Sequence, residues 1–472
     1  MKKIFEKYDL LKISGILVLL TVLLTWIIPS GYFRGSEFVA EEITRVGIQD
    51  FFNYGVLGLT YFSVLVGLLL VTGGFYQVLS KRAGYQKLVK AISEKLKNAV
   101  IPFVLFVSLF FAILGSLVNE YFPLLVLIPF IITILNRMKV DKITSFVATF
   151  GGLLVGTLGS TYSTKVAGMI TSTLGVEIAD VLTTQTIIFV IGFVLLSVFT
   201  IWRIVKGKKE KRFEEYDKFN LDEIVTTKDA KNKKVHVWPY ALTMILLFVT
   251  VALAYLPWES VWEITFFKDI TTWVNEFSIA GVPIFSYIFG AFTPFDKWDI
   301  YSVQVVMLVV ILLINLFGKM PLNEILKSFG EGFAKMGYVI VAMLMAYLVV
   351  EFAVMYPVLP TIVNGLTGLA EGFNAFLTSL SAFIASIFSC EMRYPMEMLG
   401  SYFAGAYAQF LPEITIIFQT MFGLASFFVP SSIILMIGLA YLNIPYKDWL
   451  KFIWKFLLAM LIVVAVIIVI IV

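Results

Sequence analysis

Apolar runs of about twenty residues recur from one end of the chain to the other, and they constrain the fold more than any other feature. Of its 472 residues, 60% are hydrophobic and only 14% are charged. A helix of about twenty apolar residues spans the hydrocarbon core of a bilayer, and helices satisfy their own backbone groups in lipid. The sequence therefore predicts an all-α protein that crosses a membrane several times.

The composition also narrows the possible functions. A single cysteine, Cys390, and a single histidine, His236, argue against haem, a zinc site or a histidine-based catalytic pair, so we expect no cofactor. No Walker A, HExxH or GxSxG sequence is present. The net charge of +4 requires no nucleic-acid partner. A secondary transporter is therefore the leading hypothesis, while a channel or a membrane-embedded enzyme ranks lower.

The distribution of basic residues predicts the topology, because cytoplasmic loops are enriched in lysine and arginine. Four lysines within residues 1–12 predict a cytoplasmic N-terminus. We expect the protein in the plasma membrane of a prokaryote. A basic amphipathic stretch at 81–96 is expected to lie on the inner surface. A charged cytoplasmic linker at 206–236 separates the chain into halves, and a linking span with a tryptophan-containing outside segment follows at 237–299.

The two halves, 1–205 and 300–472, share one order of elements. Each contains spans and amphipathic stretches, followed by an interrupted apolar pair and a broken helix. The pairs lie near 100–136 and 375–411, the broken helices near 143–174 and 414–442, and the second half has an amphipathic stretch at 322–333 before a span at about 338–356. Basic flanks of the first pair and acidic flanks of the second predict opposite orientations. Inverted repeats of this kind, with re-entrant hairpins and broken helices, are typical of secondary transporters, although two full spans per pair would give the same flanking charges.

Small hydroxyl residues cluster at both helix breaks. Non-helical backbone at membrane depth must be buried in protein or line a cavity, so these residues are candidates for solute binding, and the backbone beside them is a candidate Na⁺ site. The alternative is helix packing, which also favours Gly, Ser and Thr. The candidate solute ligands are Ser160, Thr161, Ser163, Ser431 and Ser432, and the possible Na⁺ site lies near Gly159, Thr164 and Pro430.

Ionisable residues interrupt the apolar pairs and the first break. A charge at the centre of a membrane helix costs about 2.5–3.5 kcal/mol, so such residues usually have a function. The alternative is that the tips of the pairs reach water and form solvated turns. The candidate binding residues at the tips are Asn119, Glu120, Tyr121, Glu391, Arg393 and Tyr394, and Lys165 lies in the break.

Two segments carry a resemblance to a known group of transporters. One contains Gly151-Gly152 and Gly159-Ser160-Thr161; the other runs from Pro430-Ser431-Ser432 to Ala440 and is followed by Ile444-Pro445-Tyr446 and Trp449-Leu450. These motifs and the order of elements resemble the YfcC-like branch of the ion transporter superfamily, which is related to the anaerobic C4-dicarboxylate carriers and the AbgT family.

The resemblance implies a homodimeric elevator transporter in which a scaffold domain supports a moving domain that carries both hairpins. It places the two tips at 119–123 and 390–395. The chain departs from these relatives at the second tip, where Cys390-Glu391-Met392-Arg393 replaces a Ser/Gly-rich sequence, and at Phe422-Gly423-Leu424, where relatives often have Gly-Asp-Gly.

The charges at the tips suggest the class of solute. Glu120 and Glu391 occupy equivalent tips, and a carboxylate in a dry site needs a cationic partner. We therefore expect an amino acid, with a cationic one such as arginine or ornithine favoured, moved by exchange or coupled to Na⁺ or H⁺. A C4-dicarboxylate anchored by Lys165 and Arg393 is the alternative. The glutamates would give no information on solute charge if they carry coupling protons instead.

Overall fold

Helices make up most of the described protein, as the apolar runs predict. The computed structural model describes residues 9–209, 216, 218–219, 236–318 and 320–472. The lysines predicted to hold the N-terminus in the cytoplasm, apart from Lys12, and most of the predicted linker lie outside these residues.

The first half begins with a helix and a short β-hairpin and then continues through helices only. Its elements are α1 (Asp9–Ile27), β1 (Gly31–Arg34), β2 (Glu37–Ala40), α2 (Ile48–Tyr61), α3 (Ser63–Ser80), α4 (Ala83–Leu96), α5 (Val100–Leu117), a 3₁₀ turn (Phe122–Leu127), α6 (Ile128–Arg137), α7 (Lys142–Phe146), a π-helical turn (Val147–Gly151), α8 (Gly152–Leu158), α9 (Ala167–Leu174) and α10 (Ile178–Lys209). The strands pair in antiparallel fashion.

The second part begins with a connecting region that holds a second small β-hairpin and then continues through helices only. Its elements are α11 (Trp238–Ala254), α12 (Phe266–Glu276), β3 (Ser278–Ile279), β4 (Val282–Pro283), α13 (Ile284–Phe289), α14 (Ile300–Gly318), α15 (Leu322–Met355), α16 (Leu359–Thr367), α17 (Ala375–Ile387), α18 (Arg393–Ala406), α19 (Leu411–Ser426), α20 (Ile433–Leu442) and α21 (Tyr446–Ile471).

Six helices in the described part are both long and apolar enough to cross a bilayer, namely α1, α3, α5, α10, α15 and α21. Exposed leucine, isoleucine and valine side chains cover much of α1, α10 and α21. A helix with an apolar exposed surface is stable where the surrounding solvent is lipid. The chain is therefore a multi-pass membrane protein.

Helices α3 and α15 cross in direct backbone contact. A Cβ atom added at Gly332 would lie 2.2 Å from the carbonyl oxygen of Gly73, and one added at Gly73 would lie 2.6 Å from that of Gly332. Small residues allow such close approach between membrane helices. Lys81 extends the contact through an ion pair of 2.5 Å with Glu331.

Helix α15 differs from the sequence-based expectation. We predicted an amphipathic stretch at 322–333 and a separate span at about 338–356, but the structure has one continuous helix of 34 residues. At 1.5 Å per residue it is about 51 Å long, well beyond the hydrocarbon thickness of about 30 Å. The glycine contacts with α3 lie in the first half of α15. Packing against α3 therefore stabilises one continuous helix where the charge pattern predicts two separate segments.

Two helical hairpins correspond to the interrupted pairs. The first hairpin consists of α5, a tip at 118–121, and the arm formed by the 3₁₀ turn and α6; the second consists of α17, a tip at 388–392, and α18. Helices α17 and α18 contain 13 and 14 residues. They are about 20 Å long, too short to cross a core of about 30 Å. This length favours the re-entrant interpretation for the second hairpin.

Three described residues of the linker lie against the helices rather than away from them. The Tyr216 hydroxyl is 2.5 Å from that of Ser145 at α7. The backbone carbonyl of Lys218 accepts a hydrogen bond of 2.7 Å from Lys335 of α15, and the Lys335 ammonium lies over the ring of Phe219. This docked segment therefore connects the start of the first broken helix with α15.

Candidate functional site

The first helix break is wrapped around the end of α5. The Ser116 carbonyl, left without an intrahelical partner at the helix terminus, accepts hydrogen bonds from the backbone N–H groups of Thr161, Tyr162 and Ser163 at 3.1–3.2 Å. The Ser116 hydroxyl donates to the carbonyl of Gly159 at 3.0 Å. Helix ends leave carbonyls unsatisfied, and the break supplies their partners. The predicted residues of this break are thus fixed to the first hairpin.

A buried glutamine stabilises the same break from the second half of the chain. The Gln419 side-chain nitrogen, in α19, donates to the carbonyls of Ser160 at 2.8 Å and Leu158 at 3.4 Å. Gln185 of α10 donates to the Gln419 side-chain oxygen at 2.7 Å. Neither glutamine is among the residues predicted from the sequence, although an uncharged amide within an apolar helix is a signal that the sequence offers. The carbonyl oxygens of Gly159 and Ser160 each accept a hydrogen bond from the protein, and the Na⁺ site near Gly159 stays a prediction.

The remaining hydroxyl residues have different surroundings. Ser431 donates a hydrogen bond of 2.7 Å to the carbonyl of Ile387, where α17 ends. It therefore attaches the second break to the second hairpin, as the packing alternative requires. Ser432 immediately precedes α20. The hydroxyl of Thr164 donates to the Asn119 carbonyl at 3.3 Å, while the buried Ser163 hydroxyl has no hydrogen-bond partner among the described residues.

Lys165 brings the two hairpin tips together. Its ammonium nitrogen is 2.9 Å from a Glu120 carboxylate oxygen and 3.9 Å from a Glu391 carboxylate oxygen. The exposed fractions of the three side chains are 30%, 13% and 15%. We call these three residues the charged cluster. One lysine faces two carboxylates, so the fully ionised cluster carries an excess of one negative charge.

Tyrosine side chains line the surroundings of the charged cluster. Tyr121 is buried next to Glu120. On the second hairpin, the Tyr394 hydroxyl donates to that of Tyr61, at the end of α2, with an oxygen–oxygen distance of 3.3 Å. The Tyr61 ring stacks on Tyr347 of α15, with centroids 5.7 Å apart. The second hairpin thus touches α2 through tyrosine hydroxyls, beside a stacked tyrosine pair.

Asn119 has partners outside the charged cluster. Its side-chain nitrogen donates to the Asp296 carboxylate, and its backbone N–H donates to the Tyr255 carbonyl at 2.8 Å. Asp296 also accepts a hydrogen bond of 2.7 Å from the backbone of Ser260. These contacts anchor the first tip to the region between α11 and α14.

Arg393 is paired away from the cluster. Its guanidinium donates to the Glu397 carboxylate at 2.6 Å, one turn along α18, and both side chains are more than half exposed. Exposed pairs of this kind contribute about 0–1 kcal/mol. Lys165, rather than Arg393, is therefore the cation that the structure brings to the glutamates.

These features together define a class of protein. Multiple apolar helices carry two hairpins and two broken helices, and the tips of both hairpins meet a lysine of the first break at a partly buried charged cluster. Broken helices and hairpins that converge on buried charges are features of polytopic membrane transporters. Among protein families, the model described as DcuC, C4-dicarboxylate anaerobic carrier, matches residues 9–472, so the chain belongs to this family. The match confirms the resemblance found in the sequence. It also shows that the chain is a transporter rather than an enzyme.

Comparisons with individual proteins give weaker similarity. MtrF of Neisseria gonorrhoeae, described with a class of antimetabolite efflux pumps, shares 12% identity with a TM-score of 0.38, covering 97% of this chain and 94% of that one. The YdaH transporter of Alcanivorax borkumensis, described as having an unusual topology, shares 12% identity with a TM-score of 0.39, covering 97% of both chains. A comparison with curated proteins gives no significant match.

Proposed function

We propose that this transporter is a secondary active carrier for a small polar solute that is an amino acid, with a cationic one such as arginine or ornithine as the preferred solute. The charged cluster is the observation that supports this proposal. Its two carboxylates exceed its one ammonium group, so the solute that best balances it carries an additional positive charge. An ammonium or guanidinium group forms charge-assisted hydrogen bonds with a carboxylate, and guanidinium can do so in a bidentate manner.

We expect the solute cation to bind first at the weaker of the two ion pairs. Lys165 lies 1.0 Å closer to Glu120 than to Glu391, as the distances of 2.9 and 3.9 Å give by subtraction. A solute cation would therefore compete for Glu391 more readily than for Glu120. Glu391 belongs to the second hairpin, whose Tyr394 side chain is partly exposed.

A C4-dicarboxylate is the second candidate. The family name describes carriers for that class of solute, and the Lys165 ammonium group at the meeting point of the tips would bind one carboxylate. Because the cluster already has excess negative charge, this candidate requires that Na⁺ or H⁺ accompanies the solute. The proposal therefore includes two modes of transport: coupling of solute movement to Na⁺ or H⁺, and exchange of one solute molecule for another.

Counterflow into proteoliposomes tests the proposal. Vesicles loaded with unlabelled arginine should take up labelled arginine faster than empty vesicles, as exchange by a carrier requires and a channel does not show. Glu391→Gln should raise the half-saturating arginine concentration about tenfold to a hundredfold, the range expected for a lost hydrogen bond to a charged group. Arg393→Gln, which alters the exposed pair, is the matched control and should have little effect.

The outcome also separates the candidates. Uptake of succinate but not arginine, lost on Lys165→Gln and retained in Glu391→Gln, would replace the cationic solute by a dicarboxylate. Failure of both solutes to exchange would remove both candidates.

We further propose an elevator mechanism in a homodimer. The hairpins and broken helices would move together against a scaffold that includes the end of α2, α3, α14 and α15. On a background without Cys390, a flexible bifunctional thiol reagent that links Tyr61→Cys to Tyr394→Cys should stop transport because it joins the two parts. Linking Gly67→Cys to Gln304→Cys, both within the scaffold and adjacent in the structure, should leave transport intact. Equal inhibition by both links would contradict the mechanism.

A further inference from the structure

The connection between α11 and α14 contains a helix with an exposed apolar side. Phe266, Ile270 and Trp273 belong to α12, and Phe277 follows its last residue. The spacing of three and four residues places these side chains on one face of the helix. All four are exposed, and the exposed fraction of Trp273 is 62%. We call these four residues the apolar strip.

The rest of α12 divides into a packed face and a charged face. Phe267 packs against Trp258 and Phe295, whose ring centroids lie 5.0 and 4.9 Å from its own. Lys268 forms an ion pair of 2.5 Å with Glu259. The other exposed positions of the helix are also polar, namely Asp269, Thr272 and Glu276. The apolar strip therefore lies between protein on one side and charged, hydrated groups on the other.

Helices α11 and α14, which flank this connection, expose apolar side chains along their length. They contain 17 and 19 residues and are therefore about 26 and about 29 Å long, close to the hydrocarbon thickness of about 30 Å. Such surfaces are stable in contact with acyl chains, so both helices end at a membrane boundary. Their exposed side chains include Leu242, Ile245 and Val249 in α11 and Val305, Leu308 and Leu312 in α14.

Aromatic contacts place α12 beside the ends of these two helices. Phe295, the partner of Phe267, lies 5.1 Å from Trp298, and Trp298 lies 6.4 Å from Tyr255, measured between ring centroids. Tyr255 directly follows α11, and Trp298 precedes α14 by two residues. Four of the nine tryptophans fall within residues 257–299. Tryptophan is enriched where membrane helices meet water, so the start of α12 lies at the level of the membrane interface.

We propose that α12 lies in the plane of the membrane, with the apolar strip inserted among lipid headgroups and upper acyl chains and the charged face in water. Amphipathic helices of this kind bury their apolar side about 5–10 Å into the boundary between headgroups and acyl chains. Under the predicted topology this is the outer leaflet. Because acyl chains cover the exposed sides of α11 and α14 beside the strip, lipid is the nearest apolar phase, and a second copy of the chain would have to displace it.

The segment after α12 enlarges this apolar surface. The Asn275 side chain and the Phe292 backbone exchange two hydrogen bonds of 2.8 Å, and the Ser286 hydroxyl donates to the Asn275 carbonyl at 2.6 Å. These bonds fold α13 back onto the end of α12, where Phe285 contacts Phe277 of the strip. An exposed apolar surface that extends beyond one helix face is typical of contact with a membrane or a partner. The exposed side chains that α13 adds are Tyr287, Ile288 and Phe289.

The same segment contacts the first hairpin tip. Phe295 packs on α12, and the carboxylate of the adjacent Asp296 accepts a hydrogen bond from the Asn119 side chain. A helix held at the membrane surface therefore supports the loop that binds the tip.

Fluorescence quenching of the full-length protein in lipid nanodiscs tests the proposal. A cysteine is introduced in the strip as Trp273→Cys, on a background in which Cys390→Ser removes the native thiol, and is labelled with bimane. A nitroxide lipid labelled near the headgroup should quench this probe more strongly than one labelled at the end of the acyl chain, because the expected depth is about 5–10 Å. Iodide in the water should cause little loss of fluorescence.

Thr272→Cys is the matched control, because Thr272 is the preceding residue and lies on the charged face. Its bimane should respond in the opposite way, with strong quenching by iodide and weak quenching by either nitroxide lipid. Equal quenching of the two probes by iodide would show that the strip faces water and would overturn the proposal.

A second copy of the chain on the strip would give a different pattern. The probe at position 273 would then be protected from iodide and from both nitroxide lipids, and a bifunctional thiol reagent would join two chains through this position. Those results together would refute contact with lipid. If Trp273→Cys does not yield folded protein, Phe266→Cys in the first turn of the same strip should show the quenching expected for position 273, and strong quenching of that probe by iodide would be equally decisive against the proposal.

Discussion

Replacement of Lys165 by methionine tests whether one lysine holds both hairpin tips. Unit charges at 2.9 and 3.9 Å attract by about 6 and about 4 kcal/mol at an effective dielectric constant of about 20. The larger value belongs to Glu120. These are gross attractions, and the cost of removing all three groups from water opposes them.

The net effect of the replacement is smaller than the gross attraction. Removal of one partner from a buried ion pair destabilises proteins by about 3–5 kcal/mol, because a charge is left uncompensated. The Lys165 side chain is 30% exposed, so water reaches part of the cluster and weakens the interaction. We therefore expect Lys165→Met to lower the free energy of unfolding by about 2–3 kcal/mol.

A double-mutant cycle provides the assay. The free energy of unfolding is measured for the wild type, Lys165→Met, Glu120→Gln and the double variant, for example by reversible SDS titration. Because Glu120→Gln removes the charge that Lys165 balances, the double variant should recover much of the loss, and the coupling energy should be about 2 kcal/mol. The corresponding cycle with Glu391→Gln should give a smaller coupling energy, because its distance to Lys165 is longer.

Two results would refute this reasoning. Wild-type stability of Lys165→Met would mean that water, rather than the lysine, compensates the carboxylates. A coupling energy near zero for Glu120, together with a large one for Glu391, would reverse the order of distances on which the argument depends.

Three more predictions concern the helix break, the docked linker segment and assembly. Gln419→Leu leaves the Ser160 carbonyl without its partner and should lower the free energy of unfolding by about 1–3 kcal/mol, whereas Gln185→Leu, which keeps that bond, should cost less; equal losses would contradict this role. Burial lowers the pKa of Lys218 from 10.5 to about 8, so the unfolded state binds more protons between these values and stability should rise as pH increases from 8 to 10.5; Lys218→Met should remove this dependence, and a fall in stability would contradict it. Native mass spectrometry in mild detergent should detect a homodimer, and a spectrum of monomer alone would count against it.

The long helices could be predicted from the sequence because their apolar length determines them locally. The continuity of α15 could not, because it depends on contact with another helix. Lysines and glutamates in its first turns indicate a surface segment, but Gly332 lies against the backbone of Gly73 in α3. These two glycines are 259 positions apart by subtraction of their numbers. No pattern within either helix specifies that pairing.

Most residues of the candidate site could be predicted from the sequence, but the partners of these residues could not. The cost of charge in a membrane identified Glu120, Lys165 and Glu391 as unusual, yet it did not identify Lys165 as the partner of the two glutamates. Gln419 could not be predicted as a site residue, because an amide in an apolar helix has no formal charge and its hydrogen-bond partners are brought together only by folding. Ser431 was identified by its type, but its hydrogen bond with Ile387 depends on the packing of the second hairpin.

Charge balance at the cluster connects the solute to the coupling ion. One lysine and two carboxylates leave one negative charge, so a solute with a net charge of +1 makes the occupied site neutral. A dicarboxylate would bring the total to about three negative charges, which a partly buried site does not tolerate without added cations. A cationic amino acid could thus bind without Na⁺ or H⁺, whereas a dicarboxylate would need them. Because the cluster joins both tips to the first break, whichever species neutralises it also determines how firmly the two hairpins are held together.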